Sequence, residues 1–293
     1  MANEESSSLD AVGESVPRAM TIAGSDSGAG AGIQADLKTF AAHGVYGTSV
    51  ITAVTAQNTR SVLAIAEVPE EVIIHQIDGV LEDIGTNSIK TGMLSSASII
   101  DVVADRIDAW GISNLVVDPV MVAKSGDALL HPTAVRSLVE QLLPLALVVT
   151  PNIPEAQVLS GTTITDDKSE EEAARIISGF GARTVVIKGG HRQSPDAVDL
   201  IFDGRSFERI SAQRIESANT HGTGCTFSAA IAANLALGLA PMQAIIRAKE
   251  YISMAIQESF KIGAGHSPVN HFYGVARLDP RSTAVKSGGH YGS

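Results

Sequence analysis

Cys225 is the single cysteine of the chain, and it ends the stretch Asn219-Thr220-His221-Gly222-Thr223-Gly224-Cys225, which runs straight into the small-residue segment Thr226-Phe227-Ser228-Ala229-Ala230. Gly222 and Gly224 permit close backbone approach. The N–H groups from Thr223 to Cys225 can therefore converge at a helix start, where the dipole favours negative charge, and this suits an anion. A thiol in the first helical turn is deprotonated at lower cost, which makes Cys225 a candidate base. The same residues also suit a plain turn and cap with a small buried cysteine.

A second glycine-rich stretch, Ala23-Gly24-Ser25-Asp26-Ser27-Gly28-Ala29-Gly30-Ala31-Gly32, follows an apolar run and leads to Asp36. It lacks the acidic residue that a dinucleotide fingerprint places at the end of the next strand, where Gln57-Asn58 stand instead, and no G-x-x-x-x-G-K-[ST] occurs. The stretch reads as a nest on the substrate side, with Asp36 either accepting a ligand hydroxyl or capping the loop. Asp118 in Val116-Val117-Asp118-Pro119 ends another apolar run, a place where a carboxylate can face a metal–phosphate or merely open a turn. In Thr150-Pro151-Asn152-Ile153-Pro154-Glu155, Asn152 and Glu155 can both point oxygen at a hydrated Mg²⁺, or form an ordinary capping box. Lys188, before Gly189-Gly190-His191, is placed to meet a phosphate or simply to be solvated.

The elements that must carry these residues alternate. Short apolar runs at Ala19–Ala23, Ser49–Thr55, Ser88–Thr91, Leu115–Val117, Leu147–Thr150 and Thr184–Lys188 have strand length and are rich in Val, Ile and Thr. Between them the pattern predicts helices at Gln34–His43, Glu70–Ile84, Ser98–Trp110, Thr133–Leu142, Ile153–Leu159, Glu170–Phe180, Gly222–Leu237 and Met242–Phe260. In the second helix Ile73, Ile77 and Val80 make an apolar stripe at i, i+4 and i+7. Strand–helix alternation implies an α/β domain with a mainly parallel sheet. Late in the series, Ala197–Asp203 and Ser206–Ile210 flank Gly204-Arg205 and read as an antiparallel hairpin. The candidate site residues then fall at strand ends or helix entries, where one crevice would collect them.

A net charge of −11 argues against nucleic acid as a partner, because such binding rests on Lys and Arg neutralising phosphates. One cysteine cannot form an internal disulfide. Neither a secretory signal nor an uninterrupted apolar run of spanning length is evident, so the expectation is a cytoplasmic protein with no membrane partner. Residues 18–274 read as one domain, with 1–17 as a disordered leader and 275–293 as a flexible tail.

From Ala19 to Tyr273 the sequence resembles the hydroxymethylpyrimidine/phosphomethylpyrimidine kinases of the ribokinase-like superfamily. The segments that carry the resemblance are Thr21-Ile22-Ala23-Gly24-Ser25-Asp26, Ala31 to Phe40, Thr55-Ala56-Gln57-Asn58-Thr59, Lys90-Thr91-Gly92-Met93-Leu94, Ala123-Lys124-Ser125-Gly126, Thr150-Pro151-Asn152 and Asn219 to Cys225. The resemblance implies a three-layer α/β/α fold and transfer of the γ-phosphate of ATP to 4-amino-5-hydroxymethyl-2-methylpyrimidine, then to its monophosphate, on the route to thiamine. It implies a pyrimidine pocket of Gly24, Asp36, Gln57, Met93 and Val120, in which the Gln57 amide pairs with the ring's amino and nitrogen edge. Cys225 resembles the catalytic base, and Gly222 to Cys225 the anion hole. Asp118 and Glu155 match the metal-ordering positions; Asn152, Lys188 and Thr223 match the nucleotide side. A homodimer is also implied. The chain departs from the pattern at Ser27, where family members commonly have proline.

The nearest rival is a pyridoxine or pyridoxal kinase, against which Gln57 with Met93 favours a pyrimidine. A silent ligand-binding protein that kept the pocket, and a thiol hydrolase suggested by the spacing of His221 and Cys225, are rivals of other classes.

Overall fold

The computed structural model describes residues 16–121, 132–191 and 195–275. Most of the expected leader and tail, and the segment Ala123-Lys124-Ser125-Gly126, lie outside these residues.

Among the described residues one sheet holds nine strands: β1 (Arg18–Asp26), β2 (Tyr46–Gln57), β3 (Val62–Glu67), β4 (Ser88–Thr91), β5 (Leu115–Val117), β6 (Val148–Val149), β7 (Thr184–Ile187), β8 (Asp196–Phe202) and β9 (Phe207–Gln213), in the order β3-β2-β1-β4-β5-β6-β7-β8-β9. Strands β2, β1, β4, β5, β6 and β7 run parallel, and β3, β8 and β9 close the two edges by antiparallel pairing. The hairpin turns at Gly204, whose φ of 85° a side-chain-bearing residue adopts only at a cost.

Helices cover both faces. Strand residues alternate between them, as the two-residue period of a strand requires. Met20, Ile22, Leu115 and Val117 pack under α2 (Glu70–Asp83), α3 (Ala97–Ala109), α5 (Ile153–Ser160) and α6 (Asp167–Gly179). Ala19, Val116, Val148 and Val186 pack under α1 (Gly32–Ala42), α7 (Thr223–Ala236) and α8 (Pro241–Gln257). This is the expected three-layer α/β/α arrangement. Helix α7 is buried from Thr226 to Ala236 because its alanines let it lie against the sheet beneath α1 and α8. A helix apolar all round belongs in such a place.

Three local expectations change. Strand β3 was not anticipated; it is almost wholly exposed, with Leu63 72% and Ile65 46% accessible, so its apolar run has no buried face to mark it. In α2 the buried stripe is Ile73, Ile77 and Leu81, with Val80 only partly covered. The helix expected over Thr133–Leu142 is α4 (Pro132–Ser137) continued by a π turn at Leu138–Leu142 and a 3₁₀ turn at Leu143–Leu145. Pro144 lacks the N–H that an α-helix would use there. Among the described residues no helix is long and apolar enough to cross a membrane.

Candidate active site

The parallel strands all end at one edge of the sheet, and a cavity of about 590 Å³ opens there. Gly24, Gln57, Met93 and Val120 line one part of it, from the β2–β1–β4–β5 side; Ala197, Ala212 and Ile215 line the other, from the β8–β9 side. Asp118, Asn152, Glu155, Lys188 and the start of α7, including Cys225, lie on the wall between.

The start of α7 is built by a glycine. Gly222 caps it with φ 77°, and a Cβ there would sit 1.8 Å from the Gly30 carbonyl oxygen. No other residue fits that close approach of the two loops. Below it, a Cβ on Gly224 would lie 3.3 Å from Lys188 Nζ, so the helix start rests on the Lys188–Asp118 ion pair. Lys188 Nζ donates to Asp118 Oδ1 at 2.9 Å, and Ser228 Oγ donates to Asp118 Oδ2 at 3.3 Å. Burial pushes the Asp118 carboxyl up, but the ammonium charges of Lys188 and Lys90 outweigh it, and the group stays below its usual range.

Cys225 faces the cavity, yet its thiol is not activated in the ligand-free protein. Burial pushes it up to about 11, further than the nearby Lys90 charge and the Gly32 N–H can pull it back, and Asp118 and Asp36 oppose ionisation. The helix start alone does not lower it as the sequence suggested.

Asn152 and Glu155 form the capping box of α5: Glu155 N–H donates to Asn152 Oδ1 at 2.9 Å, and Asn152 N–H donates to Glu155 Oε2 at 2.8 Å. The cap that was one of two readings is thus present. It does not exhaust Glu155, whose carboxyl is pushed by burial up to about 7, with Lys188 pulling it down and Asp118 pushing it further up.

Asp36 departs from its expected place. It is fully buried and lies beneath the cavity wall rather than on it. Its oxygens accept from Lys90 Nζ at 2.8 and 3.0 Å and from Thr21 Oγ1 at 2.6 Å. Lys90, likewise without exposed surface, is a member of the cavity floor that the sequence reading gave no role. A cation in the middle of the buried strand Ser88-Ile89-Lys90-Thr91 was the available signal, because such a charge must find a partner.

The first glycine-rich loop holds another surprise. Asp26 turns back into it and accepts from Gly28 N–H at 2.8 Å, Gly30 N–H at 3.0 Å and Ala31 N–H at 2.8 Å. Burial alone would raise this carboxyl, but hydrogen bonds from His221, Ala31 and Gly28 hold it below the usual carboxylate range. The nest is therefore filled by its own side chain. Ser27 ties the loop down where proline is common: its Oγ donates to the Gln57 carbonyl and accepts from Gln57 N–H, both at 2.7 Å. Gly24 makes room for Met93, whose Cε would lie 2.5 Å from a Cβ at that position, and Thr52 Oγ1 holds the Met93 carbonyl at 2.9 Å.

A cavity with an apolar, amide-bearing pocket at one side, a larger apolar slot at the other, and helix-start amides with a sulfur between them is suited to group transfer between two bound molecules. Comparison with known proteins agrees. The profile of the phosphomethylpyrimidine kinase family matches residues 26–270. The hydroxymethylpyrimidine/phosphomethylpyrimidine kinase of Rhizobium meliloti is 53% identical over 258 residues, which are 87% of this chain and 97% of that one. This chain belongs to the phosphomethylpyrimidine kinase family. Among solved structures, an ADP complex of Bacillus subtilis pyridoxal kinase is similar with a TM-score of 0.83 at 42% identity, covering 88% of this chain and 98% of that one. Phosphomethylpyrimidine kinase from Clostridium difficile is similar with a TM-score of 0.73 at 43% identity, covering 82% and 99%. The family's three-layer fold is the one described above, and the enzyme is a phosphotransferase.

Proposed function

We propose that this kinase transfers the γ-phosphoryl group of ATP to the hydroxymethyl group of 4-amino-5-hydroxymethyl-2-methylpyrimidine and then to the resulting monophosphate, in thiamine biosynthesis in the cytoplasm. The observation that carries the reading is the position of Cys225: on the amide-lined start of α7, between the Gln57–Met93 pocket and the slot beside β8 and β9. The names of the relatives support the pyrimidine, and the ADP complex of a similar chain supports the nucleotide.

In this reading the small pocket of Gly24, Gln57, Met93 and Val120 takes the ring. The N–H groups of Gly222 to Cys225 face the transferred phosphoryl, and positioning plus charge stabilisation supplies most of the rate. Lys188 and Thr223 attend the nucleotide's phosphates, and Asn152 fixes the loop beside them through the α5 cap. Cys225 accepts the hydroxyl proton late in transfer in its thiolate form, which is the minor form in the ligand-free protein and arises by loss of the thiol proton to solvent. The Gly32 N–H and the Lys90 charge favour that ion; Asp36 holds Lys90 in place rather than touching the ring.

Asp118 and Glu155 fit a Mg²⁺ ion. Mg²⁺ keeps several waters and needs only one or two carboxylates beside substrate phosphates, and two buried carboxyls lie at one wall; Glu155, raised to about 7, would give up its proton to bind the ion. Bound there, the ion would supply charge neutralisation at the phosphates. The homodimer that the resemblance implies has exposed apolar residues available on β2 and β3, among them Val54 and Leu63.

The test is a steady-state assay of purified protein with ATP–Mg²⁺ against the hydroxymethylpyrimidine, its monophosphate and pyridoxal. We expect higher kcat/KM on both pyrimidines. Equal or better turnover of pyridoxal overturns the pyrimidine assignment, and binding without turnover overturns the kinase.

A further inference from the structure

Three polar groups meet at the mouth of the small pocket. His221 Nε2 lies 3.2 Å from Asp26 Oδ2 and 3.3 Å from the nitrogen position of the Gln57 carboxamide, while the oxygen position of that carboxamide lies 3.4 Å from Thr55 Oγ1. The hydrogens available there decide the arrangement. Asp26 already accepts three backbone N–H groups and is an acceptor only, so His221 Nε2 must carry a hydrogen toward it, whatever the charge on the ring. A carboxamide NH₂ facing the same nitrogen would set donor against donor. Thr55 Oγ1 has one hydrogen, which it gives to the Ser25 carbonyl at 2.8 Å, so a carboxamide oxygen facing Thr55 would set acceptor against acceptor. Rotating the carboxamide by half a turn removes both conflicts at once, and oxygen and nitrogen of an amide are assigned by such networks. The backbone of Gln57 offers no other relief, because Ser27 Oγ clamps both its N–H and its carbonyl.

We propose that His221 is a positioning residue: its single Nε2–H, shared in a three-centre bond between Asp26 Oδ2 at 3.2 Å and the Gln57 carboxamide at 3.3 Å, holds Gln57 Oε1 on the α7 side of the pocket and Nε2 on the Thr55 side, and so fixes which way round the substrate ring binds. The proposal rests on the pyrimidine pocket proposed above. A 4-aminopyrimidine offers, side by side, a ring-nitrogen acceptor and an amino donor. With the carboxamide held as described, the ring nitrogen meets the amide N–H near Thr55 and the amino group meets the amide oxygen near His221. The hydroxymethyl carbon is the ring neighbour of the amino-bearing carbon on the side away from that nitrogen. It therefore lies toward His221, which directly precedes Gly222 and the helix carrying Cys225. The reverse amide orientation would turn the ring over and carry the hydroxymethyl toward Thr55, away from the sulfur.

The test compares the hydroxymethylpyrimidine with its analogue lacking the 4-amino group, 5-hydroxymethyl-2-methylpyrimidine, in the parent chain and two variants. His221→Gln keeps an N–H near the Nε2 position; His221→Met removes it. We expect the ratio of kcat/KM for the amino substrate over the analogue to fall about tenfold in His221→Met, the scale of one lost hydrogen bond, and to stay within about threefold of the parent in His221→Gln. Both variants lose the imidazole's packing against Gly30, so a merely structural role would lower activity on both substrates in both variants and leave the ratio unmoved. That outcome overturns the proposal. A parent enzyme that does not distinguish the two substrates overturns the reading of Gln57 as partner of the amino edge, and the role of His221 with it, and is recognised before any variant is made.

Discussion

The two glycine-rich loops of this kinase, residues 24–32 and 219–225, look alike in sequence and do opposite things. Each opens a helix, and each gathers several backbone N–H groups. In the first, the amides of Gly28, Gly30 and Ala31 are satisfied internally by Asp26. In the second, no acidic side chain stands in the first turn of α7; Thr223 N–H reaches the Thr220 carbonyl at 3.4 Å, and Gly222, Gly224 and Cys225 line the cavity. The loops touch where Gly222 passes over the Gly30 carbonyl, and His221 reaches from one to the Asp26 of the other. A nest filled by its own carboxylate makes a support; one without such a carboxylate, beside a sulfur, is where we propose the reaction takes place. The difference is one aspartate.

That contrast predicts failures of different kinds. The largest belongs to the second loop: Cys225→Ala should lower kcat about 10²–10⁴-fold, the range of a lost general base, with ATP binding by calorimetry little changed. Retained turnover would remove the sulfur from the chemistry. Next, Gly222→Ala forces a side chain into a positive φ and onto the Gly30 oxygen, so kcat should fall about 10²-fold through displacement of the helix start. A wild-type rate would show the two loops to be less tightly joined than their contact suggests.

For the first loop the loss should be in stability. Asp26→Ala leaves three N–H groups without their acceptor and should cost about 2–4 kcal/mol in urea unfolding, while the KM for ATP moves less than about threefold. A large rise in that KM with stability intact would invert the comparison.

Two smaller effects concern titration on the wall between the loops. Glu155 has its folded value raised from 4.5 to about 7, so the folded state prefers the neutral acid, and its contribution to stability is present at low pH and lost as pH rises from about 4.5 through about 7. Glu155→Gln should therefore shrink the drop in Tm between pH 5.5 and pH 8; an unchanged drop would assign it to other groups. Alkylation of Cys225 by iodoacetamide in the ligand-free enzyme should be slow at pH 7 and still rising at pH 10, since the thiol titrates at about 11. A plateau below pH 8 would mean that the helix start outweighs burial after all.

Much of the scaffold was legible because its signals are local. Val, Ile and Thr runs of strand length marked β1, β2 and β4 to β7, and Gly204 marked the hairpin turn. Strand β3 was not, since exposure removes the alternation by which a half-buried strand announces itself. Of the site, the cavity collects Gly24, Gln57, Met93, Val120, Asp118, Asn152, Glu155, Lys188 and Gly222 to Cys225, which strand-end positions and motif resemblance had singled out. It leaves out Asp36, whose short spacing from the loop gave no hint that its partner is Lys90, 54 residues away. The ion pair of Asp199 with Lys249, 2.7 Å apart on the cavity wall, was equally hidden, because neither residue belongs to a local motif.

The amino-acid sequence by itself determined the order of strands and helices, the glycines at which loops can close, and the kinds of chemical group carried to the sheet's carboxyl edge. These follow from backbone sterics and from the period of apolar residues, which act over a few positions. Only the tertiary structure decided which amides a side chain fills, which carboxylates are spent on lysines, and that the Cys225 thiol is held protonated. Those outcomes are set by burial and by charges brought within a few ångströms from distant parts of the chain, and electrostatic energies grow as water is excluded and distance falls.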